Sequence, residues 1–84
     1  MITPSQIRMA RAGLRWTIED LSHESGVSSR TVKRIEAASE VLSANVSTLN
    51  KLKSCFEAAG IEFIGTPDDS PGTRIRTTKP NETL

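Results

Sequence analysis

The stretch TIEDLSHESGVSSRTVKRIE, residues 17–36, predicts two short helices separated by a tight turn. Thr17 is a favourable N-cap, and Asp20, three residues later, is a weaker form of the Glu that completes a capping box. Gly26 favours the left-handed conformation in which many helices end. Ser28 is a second strong N-cap, so we expect a new helix to begin directly after the turn and to run to about Ala37.

The second of these helices separates its side chains onto two opposite faces, at about 100° per residue. One face is apolar or small and holds Thr31, Val32 and Ile35. The other face is polar and basic and holds Ser29, Arg30, Lys33 and Arg34. A basic helix face is most often a solvated surface, but it also suits the major groove of DNA, where Arg and Lys bond guanine acceptors.

Two further helices are expected on either side of this pair. Thr3 suits the N-cap of a first helix over about residues 5–13, with Pro4 in the favoured first position. Asn45 suits the cap of a fourth helix over about residues 46–59, which Gly60 ends, and residues 38–44 form the preceding loop. Helical spacing directs one set of side chains inward: Ile7, Ala10, Leu14, Ile18, Leu21, Val46, Leu49, Leu52, Phe56 and Ala59.

After Gly60 the apolar pattern changes from helical to alternating. IEFIG predicts a strand, TPDDSPG a turn and TRIRT a second strand. We therefore expect a helical domain over residues 1–60, a β-hairpin over 61–77 and a polar tail over 78–84.

Composition limits the class of protein. The chain has 84 residues, of which 36% are hydrophobic, and a single cysteine excludes an internal disulfide. It has no apolar run of about 18 residues and no secretory pattern at its N-terminus, so we expect a cytoplasmic protein without a membrane partner. The net charge of +1 means that any attraction to nucleic acid must be local. No catalytic or metal-ligand spacing is present, so no enzyme activity, cofactor or small-molecule ligand is expected.

The segment LRWTIEDLSHESGVSSRTVKRIE, residues 14–36, resembles the Cro/repressor-type helix-turn-helix, also called the xenobiotic-response-element family. The similarity lies in the spacing of Leu21, Gly26, Val27, Ser28, Val32 and Ile35. TPSQIRMARAGLRW and KLKSCFEAAGIEFIG are similar to the opening and closing segments of bacterial regulators, so the resemblance covers about residues 3–76. It implies a mainly α fold, a small repressor-like helix-turn-helix domain of four to five helices with a short C-terminal β-hairpin.

The resemblance also implies roles for individual residues. The positions that match base-contacting residues of the family are Ser29, Arg30 and Arg34, with Lys33 contacting either bases or phosphates. Thr17 and Ser28 match positions that contact the DNA backbone. Arg11 and Glu36 match a pair that family members use as an internal salt bridge.

The expected function is sequence-specific binding of double-stranded DNA by a transcriptional regulator, most simply a repressor on a near-palindromic operator. A protein-interaction module on the same fold is the alternative, such as an antitoxin subunit or a transcriptional co-regulator. In that case Arg30 and Arg34 would be dispensable and the hairpin surface would not.

The predicted hairpin carries much apolar surface for a small domain. Its apolar residues, which we assign to dimerisation, are Ile61, Phe63, Ile64 and Ile75. A homodimer would place two recognition helices about 34 Å apart, one turn of DNA. The alternative is a monomer whose hairpin covers its own core.

Three single residues have simple structural interpretations. Trp16 is expected to pack where the first two helices meet, and Cys55 to be a buried or half-buried small apolar residue. His23 is expected on a polar helix face, without catalytic or metal-binding partners.

Overall fold

The computed structural model of the chain describes residues 2–38, 45–66 and 69–75. This part of the chain contains, in order, α1 (Pro4–Leu14), α2 (Ile18–Ser25), α3 (Ser29–Glu36), α4 (Val46–Ala58), β1 (Ile61–Thr66) and β2 (Asp69–Ile75). The predicted mainly α composition with a C-terminal antiparallel hairpin is confirmed. Residues 39–44 of the predicted loop, 76–77 of the predicted second strand and the predicted tail over 78–84 lie outside the described residues.

Complete capping boxes begin α1 and α2. The hydroxyl of Thr3 accepts from Gln6 N at 3.1 Å, and Gln6 Oε1 accepts from Thr3 N at 2.9 Å. Thr17 and Asp20 form the same reciprocal pair at 3.0 and 2.9 Å. These bonds satisfy backbone N–H groups that the start of a helix leaves without intrahelical partners.

The turn between α2 and α3 forms at the predicted glycine. Gly26 has a left-handed φ of 76°, and its N–H donates to Ser22 O at 2.9 Å. Ser28 then adopts an extended conformation and accepts from Thr31 N at 3.2 Å, which begins α3. A side chain at Gly26 would cost roughly 1–2 kcal/mol in backbone strain, so this residue fixes where α2 ends.

The first helix does not end at the glycine near its C-terminus. Gly13 lies inside α1, and the chain turns at Arg15, which has a left-handed φ of 59°. A Cβ at Gly13 would lie 2.7 Å from Ile75 Cδ1, well inside van der Waals contact. Gly13 therefore allows Ile75 to lie close against α1, and the left-handed conformation falls on Arg15.

The fourth helix buries its predicted apolar residues except at its start. Leu49, Leu52 and Phe56 are buried. Val46, which was predicted to point inward, is 57% exposed because it is the first helical residue and stands at the edge of the core. That prediction was wrong, whereas the helix ends at Ala58, within one residue of its predicted end.

The two strands extend further toward each other than predicted, and residues 67–68 of the predicted turn lie outside the described residues. Ile61 pairs with Ile75 and Ile64 with Gly72, but the register shifts between Ile64 and Thr66, so that Thr66 pairs with Asp69. Residues 69–72, predicted as part of the turn, therefore belong to β2. A bulge of this kind adds an unpaired residue and increases the local twist.

The core is formed by the helices together with part of the hairpin. Its buried apolar residues are Ile2, Ile7, Ala10, Leu21, Val27, Val32, Ile35, Leu49, Leu52, Phe56 and Ile61. The ring of Trp16 stacks on Phe56, and Phe63 meets Phe56 edge-on, both with centroids 5.9 Å apart. The burial of Ile61 corrects its assignment to a dimer surface, because the side chain is used inside its own chain.

Strand β2 packs alongside α1 and runs in the same direction. Gln6 Nε2 donates to Gly72 O at 2.9 Å near the start of α1 and the middle of β2, and Ile75 lies over Gly13 near the ends of both elements. Gln6 and Gly13 are seven helical residues apart, and Gly72 and Ile75 are three strand residues apart. Both separations correspond to about 10 Å, as expected for two elements that lie side by side. Within the described segments no helix is long and apolar enough to cross a bilayer.

Candidate nucleic-acid interface

The outer face of α3 carries three exposed cations. Arg30, Lys33 and Arg34 are all exposed, and none of them forms an ion pair or side-chain hydrogen bond with any other described residue. None of the described residues occupies their long side chains, which are therefore available to an external partner. We call Arg30, Lys33 and Arg34 the basic face.

The inner side of α3 is fixed in the core. Val32 and Ile35 are 0% and 1% exposed, on the side opposite the basic face. Thr31 and Ser29 are half-buried at the boundary between the two sides. Ser29 therefore presents less surface to a partner than the three cations do.

The predicted pair between Arg11 and Glu36 is present and holds the C-terminal end of α3 against α1. Arg11 Nε and Nη2 each donate to one carboxylate oxygen of Glu36 at 2.9 Å, a bidentate geometry. Arg11 Nη1 also donates to Trp16 O at 3.0 Å. The hydrogen bond to Glu36 raises the pKa of the Arg11 guanidinium, whereas its partial burial acts in the opposite sense.

A second arginine of α1 binds the same end of α3, and sequence reasoning missed it. Arg8 Nη1 donates to the backbone carbonyl of Glu36, and Nη2 donates to Ser5 Oγ at 3.1 Å. The last carbonyls of a helix lack intrahelical donors and carry partial negative charge, so a guanidinium suits them. No local pattern signals this contact, because 28 residues separate Arg8 from Glu36.

The start of α3 favours an anion. The first turn of α3 contains no acidic residue, and its backbone N–H groups add to the positive end of the helix dipole. The hydroxyl of Ser28 accepts from Thr31 N and donates to Thr31 Oγ1 at 3.0 Å, so the predicted phosphate contact requires that hydroxyl to change partner.

The start of α2 has the opposite character. Glu19 and Asp20 both lie in its first turn, and the carboxylate of Asp20 already accepts from Thr17 N. Thr17 is exposed, as its predicted backbone contact requires, but a phosphate there would meet two carboxylates. Exposed Glu24 extends this negative surface along α2.

The residues assigned to the hairpin surface divide into two groups. Ile61 is buried and Phe63 is half-buried against Phe56, so both serve the core. Ile64 is half-buried and Ile75 is 47% exposed, which leaves apolar surface outside the core.

The remaining single residues show no reactive arrangement. Cys55 is half-buried, and burial raises the pKa of its thiol, with a further contribution from the charge of Glu24. A thiol in this state is a poor nucleophile. His23 is exposed, and no group of side chains suited to a metal ion occurs among residues 2–38, 45–66 and 69–75.

No protein-family model matches the chain, and no curated protein matches it at a significant level. The function is therefore argued from the geometry of α3 and its supports.

Proposed function

We propose that the protein is a sequence-specific double-stranded DNA-binding regulator of the Cro/repressor helix-turn-helix type, in which α3 enters the major groove. The observation that carries the proposal is the basic face, three exposed cations that pair with none of the described residues, on one side of a helix whose other side is buried. An α-helix fits the major groove, and Arg side chains bond O6 and N7 of guanine there.

The contacts that hold α3 in place favour sequence-specific over nonspecific binding of DNA. Two arginines of α1, Arg8 and Arg11, bind the end of α3, while Val32 and Ile35 fix its inner side. A rigid helix loses little further freedom on binding, so more of the contact energy appears as affinity. The acidic surface of α2 weakens general attraction to DNA, which leaves discrimination to the contacts of α3.

A homodimer is part of this proposal. Ile64 and Ile75 leave apolar surface on a hairpin that has only two strands, and a second copy related by a two-fold axis would cover it. Two copies of α3 would then bind half-sites about one DNA turn apart, roughly 34 Å. The simplest regulatory consequence is repression, because a bound dimer would exclude other proteins from its operator.

The test is selection of bound sequences from randomised duplex DNA at moderate salt, followed by sequencing. We expect a near-palindromic site with two half-sites. The double variant Arg30→Ala with Arg34→Ala should enrich nothing. Its matched control is Lys51→Ala with Lys53→Ala at two exposed positions of α4, which removes the same number of charges and should enrich the wild-type site.

Two results would contradict the proposal. If the folded wild-type protein enriches no sequence, the basic face is a solvated surface, and a protein partner becomes the alternative to test. If the double variant enriches the same site as the wild type, the basic face does not read the bases.

A further inference from the structure

Helix α1 connects the two parts of the molecule that the proposed function requires. Gln6 binds both strands of the hairpin, and Arg8 and Arg11 bind the end of α3. All three residues lie within two turns of one helix. The hairpin and α3 are therefore held by the same rigid element.

The side chain of Gln6 is buried, and both its amide nitrogen and its amide oxygen form hydrogen bonds. Its Nε2 donates to Ile64 O at 3.0 Å and to Gly72 O at 2.9 Å, while its Oε1 accepts from Thr3 N at 2.9 Å. Ile64 and Gly72 face each other across the hairpin. One amide thus ties the start of α1 to both strands at the same register position, and only 3% of Gln6 is exposed.

The contacts at the other side of α1 determine where α3 points. Arg11 binds the carboxylate of Glu36 and Arg8 binds its carbonyl, so the last residue of α3 is held by both its side chain and its backbone. A helix of eight residues held at its end and along its buried side has little freedom to rotate. Any movement of α1 therefore moves α3 with it.

We propose that α1 sets the position of α3 relative to the hairpin, and that Gln6 is a positioning residue which fixes the spacing between the two DNA half-sites. This inference rests on the proposed function and adds to it a residue that determines the distance between the two recognition helices. In a dimer joined through the hairpins, the distance between the two copies of α3 depends on how each hairpin is held. One connection runs from β2 through Gln6 and α1 to α3, and a second, through Phe63 and Phe56 of α4, does not involve Gln6. One base pair changes half-site separation by about 3.4 Å, so a small change in the connection through Gln6 alters the preferred spacing.

Two variants of Gln6 interrupt this connection without touching the basic face. Gln6→Met keeps the length of the side chain and removes both donors to the hairpin. Gln6→Glu keeps an acceptor for Thr3 N but places a carboxyl oxygen against the two carbonyls of Ile64 and Gly72. Thr3→Ala is the matched control, because it removes the other half of the same capping box and leaves the contact with the hairpin intact.

The experiment measures binding to three kinds of duplex: the selected operator, the operator with one base pair added or removed between half-sites, and a single half-site. The wild type should prefer the selected spacing by about tenfold or more. Both Gln6 variants should reduce this preference to less than about threefold and keep single half-site affinity within about threefold of the wild type. Thr3→Ala should keep the spacing preference.

Other results would overturn the inference. If the Gln6 variants lower half-site and operator affinity equally, or if Thr3→Ala loses spacing preference to the same extent, Gln6 only stabilises the fold. If the wild type binds the selected operator and its spacing variants equally, the proposed DNA binding stands, but the homodimer joined through the hairpins and the inference about spacing both fail. If the wild type selects no DNA at all, the failure lies in the proposed function, and the selection reveals this before any variant is compared.

Discussion

Arg11 and Glu36 form a bidentate ion pair across 25 residues of sequence, with Nε and Nη2 of the guanidinium each 2.9 Å from one carboxylate oxygen. The side chain of Glu36 is 7% exposed and that of Arg11 is 25% exposed. Loss of one partner would leave a charge in a largely dehydrated position, and the pair joins α1 to the end of the proposed recognition helix.

Glu36→Ala should therefore reduce the free energy of unfolding by about 3 kcal/mol, near the lower end for buried pairs because Arg11 keeps some contact with water. Urea denaturation followed by the fluorescence of Trp16 gives the value. The double variant Arg11→Met with Glu36→Leu should recover most of the loss, since neither charge remains. If the double variant loses as much free energy of unfolding as Arg11→Met and Glu36→Leu lose in sum, the two residues do not interact.

Arg30→Ala and Arg34→Ala should each weaken binding to the selected operator by about 1–3 kcal/mol and relax the preference at particular base pairs. The physical reason is the loss of bonds to base edges, which differ between base pairs. Binding to a panel of single-base operator variants checks this, with Lys51→Ala as a control of equal charge change. Equal losses on every operator would instead make these arginines phosphate contacts.

Lys33→Ala separates the two roles left open for that residue. A phosphate contact should lower the slope of log K against log salt by about 1, with little change in base preference. A base contact should change the preference at one position of the operator. Titrations at several salt concentrations on matched operators distinguish these outcomes.

Gly26→Ala and Gly65→Ala separate two causes of lost stability, left-handed backbone strain alone and strain combined with a steric clash. The two glycines have φ of 76° and 77°, but a Cβ at Gly26 would meet nothing within 4 Å, whereas one at Gly65 would lie 2.2 Å from Ser70 O. Gly26→Ala should cost about 1 kcal/mol of stability from backbone strain alone. Gly65→Ala should cost at least twice as much, and equal losses in urea denaturation would argue against the close approach of Ser70 to Gly65.

Cys55 should react slowly with iodoacetamide at pH 7 in the folded protein and faster in the urea-unfolded chain. The thiolate is the reactive species, and burial together with the charge of Glu24 raises the pKa of the thiol, so less thiolate is present in the folded state. Mass spectrometry of quenched samples gives both rates. Glu24→Gln should increase the folded-state rate, and Glu19→Gln should leave it unchanged.

The sequence predicts the segment from α2 to α3 well because local rules govern it. Thr17, Gly26 and Ser28 determine helix starts and ends through bonds to residues three or four positions away, and these are present as expected. The ion pair between Arg11 and Glu36 could be predicted only from the family resemblance, because the spacing of two charges 25 residues apart does not require them to be in contact.

The contacts that the sequence does not predict are nonlocal. Thr3 and Gln6 match the pattern of a capping box, but the second use of Gln6, as a donor to Ile64 and Gly72, depends on where the hairpin packs. Local rules predict a helix end at Gly13, but Gly13 lies inside α1, and its close contact with Ile75 of β2 is nonlocal. The same holds for Arg8, whose partner lies at the far end of another helix.

The packing of β2 against α1 has a consequence for synthesis on the ribosome. Helix α1 is made first, but the carbonyls that bind the buried amide of Gln6 belong to the hairpin and emerge only after α4. Until then the amide must remain hydrated, and Phe56 lacks the ring of Phe63 beside it. The nascent chain should therefore reach its complete fold only when β2 has left the exit tunnel, and a chain stalled before residue 72 should be readily cleaved by proteases.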